Sequence, residues 1–144
     1  MDLEIQPYES MGPIRLGMRI EELRWIIPGK RTIFKRDPSS ALTEMHFEDH
    51  GILVEYVPSG ICISVEVALP ANPLFQDKQL LQTGYGELEA WFLSLDPKLK
   101  INTAGFTSIE YGIGVYAPFG DEEPEEPPEG VIVFERGYYE KKYE

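Results

Sequence analysis

Nine residues constrain the fold more than any other stretch: Ile61 to Leu69 reads I-C-I-S-V-E-V-A-L. Side chains alternate across a strand, so Ile61, Ile63, Val65, Val67 and Leu69 share one side. That face is covered, and Cys62 falls on the polar register. Ala41 to Glu48 reads A-L-T-E-M-H-F-E, with Thr43, Met45 and Phe47 opposite Leu42, Glu44, His46 and Glu48. Asp49-His50-Gly51 reads as a turn, Ile52 to Val57 pairs back, and Pro58-Ser59-Gly60 turns again. With Thr32 to Arg36 in front, these segments predict an antiparallel meander with one covered face.

Two helices are predicted around it. Arg19 to Ile27 places Ile20, Leu23 and Ile27 on one face, and Pro28-Gly29 ends it. Arg19 stands where a capping Ser, Thr or Asp is expected, and its charge opposes the helix dipole. Thr83 reads as the N-cap of a second helix, Gly84 to Leu95, closed by Asp96-Pro97. Leu74 to Leu81 is a connector with room for a short strand. Further strands are predicted at Phe106–Tyr111, Ile113–Ala117 and Val131–Arg136. The expected fold is α+β, with two short helices packed on one face of a twisted antiparallel sheet. Two α-β-β-β halves, 12–70 and 82–137, remain an open option within one domain, 1–144. A domain of roughly 100–200 residues accommodates the whole chain.

Charge separates along the sequence. Residues 15–36 hold seven of the 13 Lys and Arg, whereas residues 121–144 hold nine of the 25 Asp and Glu. Mutual neutralisation of these two regions competes with a role in binding. The formal net charge of -12 argues against nucleic acid, whose recognition depends on neutralising phosphates. One cysteine allows neither an internal disulfide nor a Cys-based zinc site. No apolar run approaches the about 20 residues of a membrane helix. The acidic opening MDLEIQPYES is unlike a secretion signal, so the expected location is cytoplasmic, with no membrane partner.

Few residues carry a chemical signal. His46, Glu48 and His50 would project from one face of a continuous strand and could hold a metal with an open position. The turn at Asp49-His50-Gly51 opposes that reading, so the three are weak candidates for a metal-dependent small enzyme. Cys62 lacks a specified partner base for nucleophilic work. Glu21/Glu22 and Glu87/Glu89 read as solvated helix faces. Gly112-Ile113-Gly114 lacks the third glycine of a dinucleotide loop and reads as relief of crowding in a strand. Asp121 to Glu129, D-E-E-P-E-E-P-P-E, reads as an extended, mobile loop. The tail from Tyr138 is expected to pack its first tyrosines and fray after them.

Ile14-Arg15-Leu16-Gly17-Met18, then Glu21-Glu22-Leu23 and Pro28-Gly29, is similar to the G-M-[ST]-x-x-E-[VL]…L-G opening of BLIP-like, SmpA/OmlA-type modules. Arg19 departs from that pattern, where Ser or Thr is usual. The stretches Gly112–Pro118 and Gly130–Tyr139 resemble those of small acidic bacterial immunity-type and uncharacterised proteins. These resemblances imply binding to another protein without catalysis or cofactor. The expected function is therefore a non-enzymatic protein-binding module, in one version an immunity-type inhibitor of a basic partner. The residues expected to bind are Asp121, Glu122, Glu123, Glu125, Glu126 and Glu129, with Tyr138, Tyr139 and Tyr143 as aromatic anchors. The competing readings are the metal enzyme and a structural module that self-associates through a sheet edge. Either a monomer or a dimer is compatible with the sequence.

Overall fold

The computed structural model describes residues 1–143. Its first strands are β1 (Asp2–Gln6), β2 (Ser10–Met11) and β3 (Ile14–Arg15). The first meander comprises β4 (Thr32–Phe34), β5 (Thr43–Phe47), β6 (Ile52–Tyr56) and β7 (Cys62–Val67). After β8 (Asn72–Phe75) and β9 (Lys78–Gln79) comes α1 (Tyr85–Leu95). The second meander is β10 (Lys100–Asn102), β11 (Gly105–Ser108), β12 (Ile113–Tyr116) and β13 (Gly130–Phe134). The two meanders join where β13 pairs with β7, which makes one eight-stranded antiparallel sheet.

Register turns the alternating sequence into two faces. Phe47, Ile52, Val67, Val131, Val115 and Phe106 stand opposite one another in a row across six strands. Met45, Val54, Val65, Val133 and Ile113 form the next row, and every member of both rows is buried. Leu88 and Phe92 of α1 join this core, with the Phe92 ring 4.8 Å from Phe106 and stacked at 5.8 Å on Phe75 of β8. Leu3, Ile5, Met11 and Ile14 reach the core from a second, five-stranded sheet, in which β1 runs parallel to β8. Burying these apolar side chains is the main source of stability.

The α+β expectation of two short helices packed on one face of a sheet is overturned. The chain is mostly β, with thirteen strands among the described residues and one α-helix. Residues Ile20–Trp25 form a six-residue 3-10 turn, not an α-helix. Arg19 supplies no side-chain cap there. Residues 2–15 and 72–79 instead build the second sheet, whose shortest strands have two residues. Two α-β-β-β halves are overturned as well: each meander has four strands, and only the second follows an α-helix. No helix among the described residues is long and apolar enough to cross a membrane.

The Asp49-His50-Gly51 turn forms as predicted. Gly51 closes it at φ 66°, and a Cβ there would lie 2.2 Å from the Ala68 carbonyl oxygen, so only glycine fits.

Candidate binding surface

Proline removes backbone donors and fixes φ, so Asp121 to Glu129 cannot enter a sheet. It folds as successive turns instead. The Glu123 amide donates to the Phe119 carbonyl at 2.8 Å, Glu126 to Glu123 at 3.1 Å, and Glu129 to Tyr116 at 2.8 Å. The loop also caps α1. Thr83 is not the cap; its hydroxyl donates to the Gln79 carbonyl, and Gly84 takes the N-cap position without a side-chain bond. The orphan amides of Tyr85 and Gly86 donate to the carbonyls of Glu126 (2.9 Å) and Pro124 (2.8 Å). A Cβ on Gly84 would lie 2.9 Å from the Glu125 carbonyl oxygen, so the loop sits close against the helix start. The expected extended, mobile segment is thus a docked one, held through its backbone.

Its side chains stay free. Asp121, Glu122, Glu123, Glu125, Glu126 and Glu129 are all exposed, and none forms an ion pair among the described residues. The basic segment is engaged elsewhere: Arg15 pairs with Glu22, Arg19 with Glu21, and Arg36 with Glu44 and Glu66. Neutralisation of the acidic loop by residues 15–36 is therefore not realised. The positive end of the α1 dipole lies beside the loop and favours its acids. Glu123, Glu126 and Glu129 line a cleft of about 220 Å³ with Tyr85, Ala117 and Phe119. Phe119 is 58% exposed at its rim.

The tail tyrosines occupy a different place, the outer face of the eight-stranded sheet. Tyr138 stacks on Phe134 at 5.6 Å and donates to Glu55 Oε1 at 2.5 Å, where the Ser64 hydroxyl also donates at 3.0 Å. Burial, and then the Glu55 carboxylate it serves, hold the Tyr138 phenol well above its usual range. Tyr139 meets Phe134 edge-on at 5.1 Å and remains 57% exposed. Tyr143 packs 6.2 Å from Tyr138, and burial pushes its phenol up to about 12. Packing thus continues beyond the first tyrosines; Glu144 lies outside the described residues. Tyr139 lines a groove with Gly130, and the preceding Glu129 lines the acidic cleft.

Residues weighed for chemistry are not assembled. β5 ends at Phe47, and Glu48, Asp49 and His50 turn away as a 3-10 segment. Glu48 accepts a hydrogen bond from Thr32, and His50 Nε2 lies 2.8 Å from the Pro28 carbonyl oxygen. The row His46, Glu48, His50 does not form, and no group of three or more metal-ligating side chains is gathered among the described residues. Cys62 lies in the core because the register shifts where β6 meets β7, at Tyr56 and Cys62. Burial pushes its thiol up to about 12, which leaves it protonated and unreactive at neutral pH.

The outer face itself was not singled out in the sequence. Its central row runs His46, Leu53, Glu66, Ile132, Gly114 and Thr107. Glu44 and Glu55 flank it, and Arg36 binds Glu44 at 2.7 Å and Glu66 at 3.1 Å. The signal was present as glutamates at alternate strand positions, but the register that aligns them is not local. Comparison with protein-family models, with curated proteins and with solved structures returns no match to this chain.

Proposed function

We propose that the chain is a non-enzymatic protein-binding module, an immunity-type inhibitor that covers a basic surface of its partner. One observation carries this reading. Six exposed carboxylates, none in an ion pair among the described residues, stand on a loop whose backbone is hydrogen-bonded to the start of α1, beside the exposed ring of Phe119. A docked loop loses less conformational entropy on association than a free one, and a surface of one sign speeds encounter with the opposite sign. Exposed aromatic rings beside the acids suit a protein partner, since interfaces favour such anchors. The resemblance to BLIP-like and immunity-type proteins points the same way.

The test is capture from source-cell lysate at low and high salt, read by mass spectrometry. The native chain is expected to retain one basic protein in near-equal amount, with retention reduced by salt. Replacing the six loop acids by their amides is expected to reduce capture at least about tenfold at low salt. Unchanged capture by that variant would remove the loop from the interface.

A further inference from the structure

Gly114 opens a gap in the outer-face row of the eight-stranded sheet. Its cross-strand neighbours are Ile132 on β13 and Thr107 on β11. A Cβ at this position would lie 2.8 Å from Ile132 Cγ2, so the glycine keeps the floor low. In the adjoining row Tyr116 stands between Gly105 and Gly130 and rises half exposed. The result is a groove of about 180 Å³, walled by Tyr116, Tyr139, Ile132 and Thr107 and closed at one end by Glu66. Small-molecule pockets run to about 300–1,000 Å³, so this space suits one long side chain rather than a cofactor.

We infer that this groove receives an arginine side chain presented by the partner protein. The inference rests on the protein-binding reading above and names the group that is bound. Charge selects a cation. Glu66 lines the groove while Glu44 and Glu55 line the adjoining cleft, and Arg36, paired with Glu44 and Glu66, is the one cation in an ion pair with these carboxylates among the described residues. Glu66 accepts from Arg36 through Oε2, which leaves Oε1 without a hydrogen bond among the described residues. Lys100 pairs with Thr107 at the sheet edge, but its side chain lines a separate cleft with Lys98 and Arg136. Shape selects arginine over lysine. Two phenol rings flank the groove, and a planar guanidinium stacks on aromatic faces while donating to a carboxylate.

The test is nuclear magnetic resonance with a blocked pentapeptide carrying a central arginine, compared with the same peptide carrying citrulline. Gly105, Gly114 and Gly130 supply backbone amides at the groove floor. The arginine peptide is expected to shift these three, and the citrulline peptide to bind about tenfold more weakly because the charge is gone. Glu66→Gln keeps the hydrogen bond to Arg36 and is expected to weaken the arginine peptide by about tenfold as well. Tyr139→Leu removes the stacking ring from a half-exposed wall while keeping an apolar contact to Phe134, so it keeps the test valid if Glu66→Gln perturbs the fold, and it is expected to weaken binding several-fold. Equal shifts from both peptides, or no shift at the three glycines, overturn the inference. Shifts confined to residues 121–129 overturn it too and leave the protein-binding reading standing. Groove binding without capture of any basic protein from lysate would reverse that outcome.

Discussion

At the scale of single residues, burial decides reactivity. Cys62 sits among Met18, Val65 and other core side chains, and desolvation pushes its thiol up to about 12. At pH 8 about one molecule in ten thousand carries the thiolate. Iodoacetamide is therefore expected to leave the native protein unmodified at pH 8 and to alkylate it once denaturant is added; native-state labelling at the rate of the unfolded chain would contradict this. A second residue test lies at Asp96, a buried carboxylate whose oxygens accept from the Ser108 hydroxyl at 2.8 Å and from the Lys98 amide at 3.0 Å. Ser108→Ala leaves one oxygen without that donor and is expected to cost about 1–3 kcal/mol in denaturant unfolding. Cys62 also shows where local pattern misleads. Strict alternation assigns it to the polar side, and one register irregularity between β6 and β7 turns it inward. Such irregularities depend on the partner strand and leave no mark in the strand's own sequence.

At the scale of elements, α1 and the acidic loop are one unit. The helix has no side-chain cap and takes its N-terminal hydrogen bonds from loop carbonyls 38 or more positions later in the sequence, between Tyr85 and Glu126 and between Gly86 and Pro124. Gly84→Val forces a Cβ to within 2.9 Å of the Glu125 carbonyl oxygen. It is expected to destabilise the protein by about 1–3 kcal/mol and to speed hydrogen exchange at the Tyr85 and Gly86 amides. Unchanged exchange at those amides would separate the loop from the helix. Seven of the eight meander strands are legible in the sequence because alternation and the Gly, Pro and Asp turns are local signals; β10, three exposed residues at the sheet edge, carries no such signal. The 3-10 turn at Ile20–Trp25 resembles an α-helix in sequence because its apolar spacing fits both, and the missing cap at Arg19 is the discriminating clue. The second sheet has no comparable local signal. Its strands are short, and β1 meets β8 through a parallel pairing, Leu3 opposite Pro73, that no nearby residue announces.

At the scale of the molecule, charge and the covering of the outer face set behaviour. The tail tyrosines close part of that face, and the phenols of Tyr138 and Tyr143 are both raised, chiefly by burial. An unfolded phenol ionises at about pH 10. A raised folded value contributes stability that is fully present below about pH 10 and lost as pH climbs above it. Denaturation midpoints are thus expected to fall above pH 10, and Tyr138→Phe is expected to flatten that fall; a variant with the native slope would place the alkaline sensitivity elsewhere. The acidity of residues 121–129 is plain in the sequence. Its docking on α1 is not, because backbone carbonyls carry that contact and proline-rich acidic sequence ordinarily signals a free chain. The groove over Gly114 was equally hidden, since its walls come from β7, β11, β12, β13 and the tail.

The most direct measurement is the association rate of the native chain with its captured partner across a series of salt concentrations, repeated with the six loop acids replaced by amides. The native rate is expected to fall steeply with salt, and the variant to associate more slowly and nearly independently of salt. Identical rates and identical salt slopes for the two proteins would contradict it.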